Sequence, residues 1–98
     1  MSAPVEDLAF DDLLLGAVVV TFDGRVLEVF TERAGSVCRL VVGLLHLDAE
    51  DADRKGRRRV LVRSMPGGKG SGATLTVGPD DWHAVRAWVD RVRAALPA

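Results

Sequence analysis

Gly78-Pro79-Asp80-Asp81-Trp82-His83-Ala84-Val85-Arg86-Ala87-Trp88-Val89-Asp90-Arg91-Val92-Arg93-Ala94-Ala95-Leu96 carries helical periodicity from end to end, in a chain otherwise patterned as strands. Gly78 stands at an N-cap position, and Pro79 fills the first helical position, where a missing N–H does no harm. Asp80 and Asp81 place negative charge on the positive end of the helix dipole, and Arg91 and Arg93 place positive charge near its other end. Trp82, Val85, Val89, Val92 and Leu96 recur at three- and four-residue steps, so they form one apolar stripe with Trp82 as its expected anchor. Pro97 stops the segment. The pattern predicts an amphipathic closing helix over 79–96.

Upstream of the helix the periodicity changes to that of β-strands. Ala73-Thr74-Leu75-Thr76-Val77 alternates cleanly, with Ala73, Leu75 and Val77 inward. Pro66 to Gly72 contains four glycines and is expected to be a flexible loop. Arg58 to Ser64 sets Val60 and Val62 on one face and Arg59 and Arg63 on the other. Asp48 to Arg57 is a charged tip. Before it, Val37 to Val42 and Leu44 to Leu47 flank Gly43, which allows either two short strands or one bent strand. Ala17 to Phe22 and Arg25 to Thr31 are β-rich runs joined through Asp23-Gly24, a strong hairpin signal that favours a type I′ turn. The first dozen residues, with Pro4, Glu6 and Asp7, form an N-terminal segment that can open with a helical turn.

The expected organisation is therefore a single domain over 1–98, with strands over 13–77 and the closing helix last. Ninety-eight residues hold one core, and 48% hydrophobic with 28% charged is an ordinary globular composition. No helix separates the strands, which excludes a parallel βαβ fold and favours an antiparallel barrel or sandwich. Glu6, Asp7, Asp11 and Asp12 argue against a signal peptide. The longest apolar run, Leu13 to Val20, falls short of the about 20 residues of a membrane span, so the expectation is a cytoplasmic protein.

This order of elements resembles the pleckstrin-homology-like superfold. The residues that carry the resemblance are the hairpin at Asp23-Gly24, the strands around Gly43, the hairpin bearing Asp48 to Arg58, and a closing helix with Trp82. Val37 to Leu47, followed by a charged loop and an Asp-Asp-Trp helix start, also looks like small actinobacterial domains of this shape. The resemblance implies an antiparallel barrel of six or seven strands, two sheets nearly orthogonal, capped by the helix. In phosphoinositide-binding members, anionic headgroups sit around the loop between the first two strands. Here that loop, Val20 to Arg25, holds acidic Asp23 and only one basic residue, Arg25.

Chemistry-bearing constellations are few. Arg54, Lys55, Arg57, Arg58, Arg59 and Arg63 form a candidate anion or partner patch, preceded by Asp48, Glu50, Asp51 and Asp53, which can neutralise it across the turn. Gly67-Gly68-Lys69-Gly70 fails as a phosphate loop, because no Ser or Thr follows Gly68-Lys69 and a strand, not a helix, comes next. His46, His83 and the lone Cys38 have no metal or nucleophile spacing. Cys38 on a strand is expected to be a buried hydrophobe. Trp88 lies about 240° around the helix from Trp82. It either completes the core or borders the stripe as a candidate partner contact.

These features predict a non-catalytic binding module without cofactor, catalytic residue or metal. Its expected partner is another protein or a second copy of the chain, met at a strand edge or at the Trp88 flank of the helix. The alternative is an anionic lipid or phosphate group on Arg54 to Arg63. With a formal charge of −1 and few aromatics on the strands, nucleic-acid binding is disfavoured.

Overall fold

The computed structural model describes residues 6–96. Seven strands and one helix are found among them: β1 (Glu6–Asp12), β2 (Gly16–Phe22), β3 (Val26–Thr31), β4 (Gly35–Val41), β5 (His46–Ala49), β6 (Arg58–Met65), β7 (Lys69–Val77) and α1 (Pro79–Ala95). They form two antiparallel sheets, one in the order β1-β2-β3-β4 and the other β5-β6-β7. The expected barrel is thus two sheets rather than a closed ring of strands.

The sheets meet because Gly43 lies in a single 3₁₀ turn, Val42–Leu44, that carries the chain from one sheet to the other. Of the two arrangements open at Gly43, two separate strands is the one adopted. The expected helical turn is absent from residues 6–12, which are β1; Pro4 lies outside the described residues. Alternation explains the strand: Leu8 and Phe10 turn to the core, while Asp7, Ala9 and Asp11 are exposed.

The Asp23-Gly24 hairpin forms, but not as a type I′ turn. Only Gly24 has positive φ, at 91°, and Phe22 pairs with Leu27 across a wider loop. The Asp23 carboxylate closes that loop by accepting from the amides of Arg25 and Val26, both at 2.8 Å. A side chain that satisfies the turn amides makes a second positive-φ residue unnecessary. The glycine-rich loop is also shorter than expected, since β7 begins at Lys69. Gly72, at φ +153°, pairs with Arg63, and a Cβ there would sit 1.7 Å from the Val62 carbonyl oxygen. Glycine is required at that position by close backbone approach.

One core unites both sheets and the helix: Val18, Val20, Phe22, Leu27 and Val29 from the larger sheet, Leu47, Val60, Val62, Leu75 and Val77 from the smaller, and Val85, Trp88, Val89 and Val92 from α1. The corner between β1 and β7 is pinned by Asp12, a residue only 4% exposed. It accepts from the amides of Leu14 (2.8 Å), Leu15 (2.9 Å) and Thr76 (2.6 Å), while the Leu13 amide donates to the Thr76 carbonyl at 3.0 Å. Three amide donors replace the water that a buried carboxylate would otherwise lose.

Candidate functional site

Trp88, not the expected Trp82, is the main anchor of the helix, so of the two positions open to Trp88 the core is the one it takes. The apolar stripe of α1 is centred on Val85 and Val92, and Trp82 and Trp88 lie about 60° to either side of that centre. Periodicity cannot choose between such flanks, but β1 does. Trp88 is 0% exposed, and its indole Nε1 donates to the Glu6 carbonyl at 3.1 Å, which corrects its candidacy as a partner contact. Arg91 seals the same seam with an ion pair to Glu6 at 2.8 Å. Trp82 is only half-buried, and the Arg58 guanidinium lies 4.8 Å above its ring. That stacking lets a half-exposed indole stay covered at the helix start.

The basic residues of the 54–63 hairpin do not converge. Arg58 faces Trp82 on the core side of β6. Arg59, on the opposite side, chelates Glu50 through Nε and Nη2 at 2.7–3.1 Å. Arg63 lies along the sheet and donates to the Val62 and Ala73 carbonyls and to the Thr74 hydroxyl. Arg57 pairs with Asp53 at 2.8 Å. Asp53 organises the whole tip, accepting from the amides of Lys55 and Arg57 as well. Those bonds, the Arg57 amide foremost, hold its carboxyl below the usual carboxylate range. Arg54 and Lys55 are exposed at the tip.

The smaller sheet supplies a different feature. Among the described residues, β5 has β6 on one side and no strand on the other. The Glu50 amide donates to the Arg59 carbonyl at 2.9 Å, in the same register that pairs Asp48 with Leu61 and His46 with Arg63. In an antiparallel ladder hydrogen-bonded pairs alternate, so the N–H and C=O groups of Leu47 and Ala49 point away from β6, to the unpaired side. Beside the start of β5 opens a cleft of about 460 Å³ between the β6–β7 turn and the end of α1. Leu45, Leu47 and Leu96 give it apolar walls, and His46, Asp48 and Arg93 give it polar groups of both signs.

The remaining candidates stay apart. Cys38 is buried at 7% exposure, and burial pushes its thiol up, opposed only in part by Arg63. His83 is exposed on the first turn of α1, and His46 lines the cleft. Among the described residues no group of three or more His, Cys, Asp or Glu could hold a metal ion, and no helix is long and apolar enough to cross a membrane. Compared with models of protein families, with curated proteins and with solved structures, the chain matches none.

Two features of the site escape sequence reasoning. The β5 edge is invisible because pairing partners are not encoded locally. Asp12 stands beside Asp11 as one more N-terminal acid. The only local clue is that an Asp ahead of a turn can bond the amides two and three residues on.

Proposed function

We propose that the chain is a non-catalytic protein-binding module that receives an extended peptide as an added strand on β5. The observation that carries this reading is the unpaired edge of β5 beside the cleft at its start. The backbone groups of Leu47 and Ala49 supply affinity without regard to sequence. The leucine walls and the His46, Asp48 and Arg93 trio supply selectivity for alternate side chains of the guest. The succession of four strands, three strands and a closing helix supports assignment to the pleckstrin-homology-like superfold. Anion binding on the hairpin draws less support, because Arg57 and Arg59 are engaged by acids and Arg58 and Arg63 point to opposite faces of β6.

The test is selection from a displayed library of random ten-residue peptides, followed by amide chemical-shift mapping and the variant Ala49→Pro. The Ala49 amide faces the unpaired side, so proline there removes a donor to the guest and none to β6. Selected peptides should perturb His46 to Ala49, Arg93 and Leu96, and Ala49→Pro should weaken them about tenfold or more at unchanged fold. Peptides that map elsewhere, or that bind Ala49→Pro equally well, would refute the proposal.

A further inference from the structure

We propose that the outer face of the four-stranded sheet is a self-association surface, on which two copies pack face to face about a two-fold axis parallel to the strands. This surface lies on the larger sheet, so it is independent of the β5 edge. The helix and the smaller sheet cover the inner face, where Val18, Val20, Phe22, Leu27 and Val29 are buried. On the outer face two rows cross all four strands, and Val26 pairs with the exposed Val41 beyond them. One runs Ala9, Val19, Phe30, with Ser36 and the bulged Val37 at its end; the other runs Asp7, Thr21, Glu28, Arg39.

The first row is apolar where a monomer has no use for it. Val19 is 43% exposed and Val37 42%, Ala9 is exposed, and Phe30 is half-buried between them. An apolar band one residue wide across four strands, rimmed by polar residues, is the composition of an interface core.

Charge then selects the occupant. The β1 edge of the face is acidic, with Asp7 and Asp11, and the β4 edge carries Arg39. A two-fold axis along the seam between β2 and β3 sets β1 of one copy over β4 of the other. Asp7 then meets the partner's Arg39, Val19 meets the partner's Phe30, and Ala9 meets the partner's Val37, each pair occurring twice as isologous packing demands. Thr21 meets the partner's Glu28, whose carboxylate is already oriented by the Ser36 hydroxyl at 2.6 Å. An axis across the strands would instead set β1 over the partner's β1, with acids against acids, and leave Arg39 over the partner's β4, away from Asp7 and Asp11. Packed sheets cross at about 30°, which at roughly 7 Å from the axis displaces the charged pairs by about 4 Å, within the reach of an arginine.

Size sets the strength. Four strands about 4.8 Å apart and about 23 Å long present roughly 450 Å² per copy, about half of what a stable complex buries. The dimer is accordingly weak, with a Kd between about 10 µM and 1 mM.

Sedimentation equilibrium of the full chain at low ionic strength tests this. The mass of the wild type should climb from 10.5 kDa toward twice that value as concentration rises to about 1 mM. Asp7→Arg and Arg39→Asp, each alone, should lower the association constant about tenfold or more, because each sets like charges together. Their equimolar mixture should regain the wild-type association, which requires both variants to be folded. Val19→Asp, with circular dichroism to verify the fold, should remain monomeric. A wild type that stays monomeric at about 1 mM, single variants that associate like wild type, or a mixture no stronger than its components would each overturn the proposal.

Discussion

Replacing Trp88 by alanine should come close to unfolding the domain, whereas the same change at Trp82 should not. The indole of Trp88 is 0% exposed. Burial of an indole removes about 150–250 Å² from water, a gross gain of about 4–6 kcal/mol. Measured Trp→Ala changes in cores cost about 3–5 kcal/mol, and the stranded Glu6 carbonyl adds about 0.5–1.5 kcal/mol. The sum, about 4–6 kcal/mol, compares with a total stability of about 5–15 kcal/mol for a domain of this length. Trp88→Phe keeps most of the packing and loses the indole donor, at about 1–2 kcal/mol. Trp82→Ala loses partial burial and the Arg58 contact, about 2 kcal/mol together, or a melting temperature lower by about 8–16 °C. Urea unfolding followed by far-ultraviolet circular dichroism measures all three. A Trp82→Ala penalty equal to or larger than that of Trp88→Ala would refute the assignment of the helix anchor.

Three further outcomes follow from the corners and turns. Asp12→Asn sets an amide donor against one of the three N–H groups that Asp12 now accepts, so stability should fall by about 2–3 kcal/mol; a neutral effect on urea unfolding would mean that Asp12 does not pin β1 to β7. Gly72→Ala drives a Cβ into the Val62 carbonyl and should cost about 3 kcal/mol or more, while Gly67→Ala, at φ +73° with open space around it, should cost about 1–2 kcal/mol. Equal melting temperatures for the two variants would contradict the paired start of β7. Asp53 has a folded-state carboxyl below its unfolded value, so its contribution is present above about pH 4 and is lost as pH falls through the depressed value. Asp53→Asn should flatten the acid limb of the stability–pH curve below about pH 4, and a limb unchanged in slope would contradict the Asp53 turn.

Elements with strong local periodicity were readable from sequence, and those shaped by their neighbours were not. The helix declared itself through Gly78-Pro79-Asp80-Asp81 and its valine stripe, yet its anchor was ambiguous because Trp82 and Trp88 flank the stripe symmetrically. Only the docking of Glu6 breaks that symmetry, and β1 was obscured by three aspartates, which are depleted in strands. Its alternation of Leu8 and Phe10 with Asp7, Ala9 and Asp11 was nevertheless present. The glycines of 70–72 read as loop on composition, since nothing local announces that Gly72 is pressed against Val62. At the candidate site, His46 and Leu47 read as strand, but an unpaired edge is a property of the assembled sheet. In the basic hairpin the alternation of β6 is legible, but the partners that disperse the patch are not: Glu50 holds Arg59, Asp53 holds Arg57, and the Trp82 ring lies under Arg58.

Hydrogen exchange at the amides of Leu47 and Ala49 reports on strand addition to β5 without any substitution. In the free protein both should exchange with little protection, while the inward-bonded amides of Asp48 and Glu50 are slowed by β6. With a selected peptide bound, Leu47 and Ala49 should become protected together. Amides at Leu47 and Ala49 that are already protected in the free protein, or that stay fast with the peptide bound, would contradict strand addition on β5.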